Sequence, residues 1–507
     1  MTGKTAEGTN RREFGDYQTP SEFAQKVCRF LKEKRQILPS FILEPTCGKG
    51  NFLQAALLFD AKKYVGIEIN PDYCRLCSEK LRDSRVKIHC ANVFQYDFTS
   101  LRGQDNPLIL GNPPWVNNSA LSSSGNLPEK VNFKGWRGIE ALTGASNFDI
   151  CEAIILRLVH AFQNTNAVIA QLCKMSVARN VFQELKRESI PFLSCEMIAF
   201  DAFNVFGTSV GACLLLIRLS ETGVSPDYCE IRSFDDPDHA ASSLFSDSRC
   251  LCKKLPSEVE TFDGKCCFLW RQGVKHDCAS VMELSKDNGV FRNGRKEAVD
   301  VEYNLIFPLV KSSMFKRPIL SEFTKFVIVT QKKIKEDTAH IEKDFPETWA
   351  YLMRNQEFFN QRKSAVYRNT PPFSMFGIGS YSYAAYKVAV SGFYKRPLFS
   401  LLFSPDGKPV MTDDTSYFIC FDAYDAAYTA MLLFNSDLVQ NLLSHIAFLD
   451  AKRPYTKKVL SRIDVEKIYA AISFPELKKT EQALQLDAYL TEEMFWDFAS
   501  VLQTPQS

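Results

Sequence analysis

The chain lacks a charge bias, an apolar run long enough to cross a bilayer, and a cysteine framework. Its 61 Lys and Arg offset 59 Asp and Glu, leaving +2 over 507 residues, so bulk electrostatics argues neither for nor against a polyanionic partner. No stretch reaches the ~20 consecutive apolar residues of a spanning helix. The opening MTGKTAEGTNRREFGDY has no signal-peptide apolar core, so a cytoplasmic location away from membranes is expected. Sixteen cysteines are scattered without small-scaffold spacing, which fits a reduced compartment. The pairs Cys74-x-x-Cys77, Cys250-x-Cys252 and Cys266-Cys267 lack two-plus-two ligand spacing, and no metal is expected. A complete Walker-type phosphate loop, an internal repeat and a long low-complexity tract are also missing. What remains is a long chain, 45% hydrophobic, with material for two to four domains.

The first 220 residues alternate helix and strand signals. TPSEFAQKVCRFLKEK opens with Thr19 as helix N-cap, Pro20 at the first helical position and Glu22 completing a capping box. SFILEP, YVGIEI, VKIHCANVF and PLILGN read as buried strands separated by helical segments. A helix, a strand (AVIAQLC) and another helix follow the Ser-rich loop at 119–126. SCEMIAFDAF and VGACLLLIRLS are joined too tightly for a crossover helix and predict an antiparallel hairpin. This rhythm predicts an α/β fold, a doubly wound, mostly parallel Rossmann-like sheet with an antiparallel terminal hairpin. Residues 221–265 lose the rhythm and read as a connector. Residues 266–507 mix short aromatic strands, basic runs and late helices, and read as a second, mixed α+β domain.

Ligands of open parallel sheets bind beyond the carboxyl ends of the strands, and four such ends are polar or glycine-rich here. The first, EPTCGKGNFL, places Gly48 and Gly50 between strand and helix, where a ligand can approach the backbone, with Glu44 available to a positive group. The second ends at Glu68, eighteen residues after Gly50, about where an acidic residue meets ribose hydroxyls in nucleoside-binding sheets. The third ends at Asn92, suited to an adenine edge. The fourth ends in GNPPW, an order of residues that core building does not ask for. Together these point to an adenosine-bearing ligand with a cationic tail rather than a nucleotide.

At this point the chain resembles the class I S-adenosylmethionine-dependent methyltransferases, and within them the gamma-class adenine-N6 DNA methyltransferases of restriction–modification systems. The resemblance rests on FGDYQTP, EPTCGKGNFL, GIEIN, GNPPW and FNVFGTSVGACLLLI, in that order, over roughly residues 14–219. It implies cofactor contacts at Thr19, Pro20, Glu44, Thr46, Gly48, Gly50, Glu68, Ile69, Asn92 and Asn112. It also implies a catalytic group of Asn112, Pro113, Pro114, Trp115 and Phe206. In such a site the Asn112 side-chain oxygen and the Pro113 carbonyl accept the hydrogens of the adenine amine. Trp115 stacks on the flipped-out base, and Phe206 closes its other face. Asn147, Phe148 and Asp149 border the cofactor or the target base in the same comparison. The chain departs from the family at Asn92, often Asp, and at Trp115, more often Tyr.

A small-molecule enzyme has no need of the second half, whereas a DNA enzyme needs a recognition surface. Residues 301–400 hold fifteen basic against eight acidic side chains. KSSMFKRP, TQKKIK, FYKRP and DAKRPYTKK interleave cations with aromatics, and Lys387, Lys395, Arg396, Lys452 and Arg453 are the candidate DNA contacts. WRQGVKHDC at 270–278 reads as a structural or DNA-facing strand. The expected partners are double-stranded DNA and a separate cognate restriction endonuclease, and the expected form is a monomer. Two alternatives stay open: a protein-glutamine or RNA methyltransferase using the same device, and a catalytically silent DNA-recognition subunit.

Overall fold

The computed structural model describes residues 18–116, 149–223, 225–246, 251–253 and 255–503. They divide into two compact units, Met1–Lys254 and Leu255–Ser507. No helix among the described residues is long and apolar enough to cross a membrane.

The first unit is built on a ten-stranded sheet. Strands β1 (Phe41–Glu44), β2 (Lys63–Glu68), β3 (Val86–Cys90), β4 (Pro107–Gly111) and β5 (Val168–Lys174) are mutually parallel. β6 (Phe192–Phe200) and β7 (Ala212–Leu219) form the expected antiparallel pair, with β7 antiparallel to β5. Every residue of β1 and β4 is buried, as a parallel sheet covered on both faces requires. The order β3-β2-β1-β4-β5-β7-β6 runs one way from β1 through β2 to β3 and the other way from β4 onward. The strand order therefore reverses between β1 and β4, and the crevice beyond their carboxyl ends is the natural ligand position. The sheet continues through β8 (Tyr228–Ser233), β9 (Ser242–Ser246) and β10 (Leu251–Lys253), drawn from the stretch read as a connector. β8 lies parallel to β6, and β9 and β10 follow antiparallel.

Helix α1 (Ser21–Glu33) buries Ala24, Val27, Cys28, Phe30 and Leu31 on one face. Its N-cap is Pro20 with no side-chain capping bond, so the Thr19 capping box expected from sequence does not form. Thr19 is instead committed to the glycine turn: its carbonyl accepts a hydrogen bond from Asn51 Nδ2 at 2.7 Å. Helices α2 (Asn51–Ala56), α3 (Pro71–Lys80), α4 (Ile150–Phe162) and α5 (Met175–Arg187) follow β1, β2, β4 and β5. A five-residue helix, α6 (Ala202–Phe206), joins β6 to β7.

The second unit holds two five-stranded sheets. One runs Arg271–Gln272, Ser416–Phe421, Tyr386–Ser391, Ser400–Leu402 and Ile319–Leu320 in spatial order. The other runs Val290–Asn293, Glu283–Asp287, Lys325–Ile328, Ile306–Val310 and Met411–Thr412. Trp270, Phe399 and Phe434 pack together in the core of the first, beneath the helix Tyr424–Phe434.

Candidate active site

The site forms where β1 and β4 part, with Leu43 level with Ile109 and Gly111 level with Gln171. After β1 the chain turns tightly. The Cys47 N–H donates to the Ile67 carbonyl at 2.9 Å and the Gly50 N–H to the Cys47 carbonyl at 2.8 Å. Gly48 (φ +51°) and Gly50 (φ +78°) sit in the left-handed region, which side chains resist. A Cβ on Gly50 would also stand 2.5 Å from Cys77 Sγ. Glu68 braces this turn: its Oε2 accepts from the Gly48 N–H at 2.9 Å and its Oε1 from the Asn70 N–H at 2.8 Å. Gln18 lies on the turn as well, its Oε1 accepting from the Lys49 N–H at 3.1 Å. Sequence reasoning passed over Gln18 and Asn51; their position flanking Thr19-Pro20 and Gly48-Lys49-Gly50 was the available signal.

Glu44 is 3% exposed and its Oε2 accepts from the Leu53 N–H at 3.1 Å, inside the loop rather than at an open surface. Burial, reinforced by the neighbouring Cys77, pushes its carboxyl well above the ordinary range. The Thr46 hydroxyl oxygen is buried without a hydrogen-bond partner. Ile69 is 60% exposed at the end of β2. Asn92 follows β3 and its Oδ1 accepts from the Phe94 N–H at 2.9 Å, so the oxygen is engaged in a local turn.

Beyond β4, Asn112 and Pro114 are half-buried while Pro113 and Trp115 are buried. The Trp115 indole donates to the Leu172 carbonyl on β5 at 3.2 Å. The Val116 carbonyl accepts from the Ile150 N–H at 2.9 Å, which ties the stretch after β4 to the start of α4. Asp149 caps that helix through the Cys151 N–H and pairs with Lys174 at 2.7 Å. Asn147, Phe148 and the Ser-rich loop lie outside the described residues, as do the first four residues of FGDYQTP. Phe206 ends α6, and its ring meets Trp115 at 5.3 Å between centroids and 70° between planes. The two aromatics named from sequence are thus brought together, but in mutual edge contact rather than across a base-wide slot.

Gln171 was not anticipated. It is fully buried, its Nε2 donates to the Ile109 carbonyl at 3.1 Å, and its Oε1 has no hydrogen-bond partner. Only its place in AVIAQLC, a polar residue in an apolar strand, hinted at it.

In the second unit Lys395, Arg396 and Lys452 are exposed, as phosphate contacts must be. Arg453 is partly buried, 3.7 Å from Asp414 and over the Phe393 ring. Lys387 is a correction. It is 1% exposed in the strand Tyr386–Ser391, its ammonium donating to the Ala384 carbonyl at 2.9 Å, so it presents no charge to a phosphate.

No family model matches the chain. It is 39% identical over 472 residues to the type II methyltransferase M.NspV of Nostoc sp., covering 90% of this chain and 96% of that protein. It is 24% identical over 250 residues to the modification methylase CviBIII of Paramecium bursaria Chlorella virus NC1A, 48% of this chain and 60% of that one. Among solved structures, the type I restriction-modification methyltransferase subunit from Streptococcus thermophilus overlaps 43% of this chain and 47% of its own at 17% identity. Its TM-score is 0.30.

Proposed function

The chain belongs to the type II methyltransferases of restriction–modification systems, and from that premise we propose that it methylates the N6 amine of an adenine turned out of duplex DNA at a specific sequence. S-adenosylmethionine is the methyl donor. The observation that supports this reading is the shared sheet edge at the strand-order reversal, where the glycine turn after β1 adjoins Asn112-Pro113-Pro114-Trp115 after β4.

The residues present fit the cofactor. The turn is packed so closely against Gln18 and Cys77 that neither Gly48 nor Gly50 admits a side chain, the buried Thr46 hydroxyl has no partner, and Ile69 leaves an apolar side chain exposed beside Glu68. Thr19, Pro20, Glu44 and Gly48 would surround its amino-acid end, and Glu68, Ile69 and Asn92 its nucleoside. When bound it supplies an electrophilic sulfonium methyl.

The exocyclic amine of adenine is a poor nucleophile because its lone pair is delocalised into the ring. Acceptance of its two hydrogens by Asn112 Oδ1 and the Pro113 carbonyl favours a pyramidal nitrogen with a localised lone pair. Pro113 has no N–H to compete at this point. The surplus proton leaves the amine after transfer, so catalysis rests on positioning and electrostatics rather than on a prior base. Trp115, its plane fixed by the Leu172 carbonyl, offers a face for the extruded base. Entry of that base between Trp115 and Phe206 requires the two rings to part, because their contact leaves no room for a third ring. Residues 266–507 supply target recognition in this reading, beside a separate cognate endonuclease.

The test is transfer of labelled methyl to unmethylated genomic DNA, followed by nucleoside analysis. N6-methyladenine confined to one short motif, and lost in Asn112→Ala, is the expected result. Label on cytosine, RNA or protein in place of adenine would sink the reading.

A further inference from the structure

The second unit holds an open cavity of about 660 Å³ that no sequence motif announces. One wall is the 274–279 stretch, held in place by its backbone. The Val274 N–H donates to the Thr412 carbonyl at 2.7 Å, and Lys275 exchanges two backbone bonds with Phe376. These fix His276, which is 7% exposed and lines the cavity. Its Nδ1 accepts from the Cys278 N–H at 3.2 Å, which assigns the ring proton to Nε2. That Nε2 stands 3.7 Å from Glu283 Oε1, beyond hydrogen-bond length. A buried donor therefore lines the space with its nearest carboxylate out of bonding reach.

The charges of the lining argue against an anion. Asp277, Glu283, Asp413 and Asp414 face Lys275 and Lys311. Lys311 is committed to both oxygens of Glu283 at 2.8 and 2.7 Å, and Lys275 lies 3.5 Å from Asp277. Asp413 accepts from Thr415 and Ser416. The side chains of Asp277 and Asp414 remain 35% and 33% exposed. A hollow with surplus carboxylate repels phosphate and offers hydrogen-bond acceptors to a neutral N–H donor such as the amino group of a base. Its lip has the opposite character. Phe393 and Tyr394 line it and are 37% and 40% exposed, and the chain runs directly on into exposed Lys395 and Arg396. The Tyr455 hydroxyl donates to the Lys395 carbonyl at 2.8 Å, which ties the Lys452–Arg453 segment to this lip.

We propose that this cavity reads the major-groove edge of a base carrying an exocyclic amine, cytosine or adenine, an inference that rests on the second unit being the DNA-recognition unit. Asp277 and Asp414 accept from the amine, and His276 Nε2 donates to a base acceptor. Lys395, Arg396 and Lys452 hold the flanking phosphates. Acceptors in the hollow and cations at its rim match the division between base readout and phosphate positioning.

The test uses the full chain and a panel of duplexes, the methylated motif and its single-base-pair variants, with binding and methyl transfer both measured. Asp414→Ala and Asp277→Ala are expected to lose about tenfold or more of the discrimination at one base-pair position while keeping it elsewhere. Lys395→Ala is expected to weaken every duplex alike. Pocket variants that keep full discrimination at every position, or that lose affinity uniformly, overturn the proposal. If either fails to fold, as a lost unfolding transition would show, Tyr394→Ala at the exposed lip carries the same comparison. Wild-type protein that methylates RNA or protein instead of DNA would bring down the recognition reading itself, a result distinct from failure of the pocket.

Discussion

The two units hold their polar side chains in different ways. In the first, the residues of the candidate site are anchored to main chain: Glu44 to the Leu53 amide, Glu68 to those of Gly48 and Asn70, Asn92 to that of Phe94, Trp115 to the Leu172 carbonyl. In the second, the charged side chains around the cavity pair with one another, Lys311 with Glu283, Lys275 with Asp277 and Arg453 with Asp414, although His276 there takes the Cys278 amide. A backbone anchor fixes a side chain to the fold, so its geometry survives substitution of its neighbours. A side-chain pair can be exchanged for another pair without touching the backbone. Chemistry that must be placed to a fraction of an ångström suits the first arrangement, and a surface that selects among sequences suits the second.

The largest expected effect lies at the centre of the first arrangement. Asn112→Ala should lower kcat by roughly 10²–10³, the usual cost of removing one group that stabilises developing charge. Cofactor affinity should change far less, and single-turnover transfer with a titration of cofactor binding separates the two. A variant that loses binding as steeply as rate would mean that Asn112 belongs to the cofactor site alone.

Next in size is Gly50→Ala. The substitution forces a side chain to φ +78° and sets its Cβ against a buried sulfur. Strain and overpacking each cost about 1–3 kcal/mol, so a loss of roughly 2–6 kcal/mol should appear in denaturant unfolding of the first unit, together with weakened cofactor binding. An unchanged unfolding midpoint would mean that the turn is softer than its hydrogen bonds suggest.

How much of this was legible in the sequence follows the same division. The parallel sheet, the hairpin and the strand-end residues could be read because each backbone-anchored position demands a particular residue type: glycine at φ +78°, proline where an N–H is unwanted, an acid at a strand end. Thr19 misled because a capping box is a local pattern, whereas its carbonyl was claimed by Asn51, thirty-two residues away. Strands β8–β10 were missed because short strands of mixed polarity carry little periodicity. Lys387 looked like its exposed neighbours because a lone lysine in an aromatic strand does not announce which face it occupies. The cavity was invisible because its walls come from segments around residues 275, 312, 393 and 414, brought together only by the fold.

Lys387 offers a test by pH. Burial lowers its ammonium from 10.5 to about 8. Below pH 8 both folded and unfolded chains hold the proton, and the folded state carries the full cost of a buried charge. Between about 8 and 10.5 the unfolded chain binds more protons, so stability rises with pH across that window. Lys387→Met should remove this rise and, near pH 7, stabilise the second unit by no more than about 3 kcal/mol, while DNA affinity stays as it was. Affinity that falls with the substitution would return Lys387 to the list of phosphate contacts.

The smallest effect separates rim from pocket. Lys395 is exposed and follows the aromatic lip, so its cation interacts with phosphate across water and its removal costs on the order of 0.5–1 kcal/mol. What distinguishes a phosphate contact from a generic surface charge is the salt dependence. Each neutralised phosphate releases about one counterion, so Lys395→Ala should reduce the slope of log K against log salt by about 0.9, equally for matched and mismatched duplexes. A slope that does not change, with affinity lost only on the matched site, would move Lys395 from the rim to the reading of bases. The two kinds of recognition assigned to the second unit would then have to be redrawn.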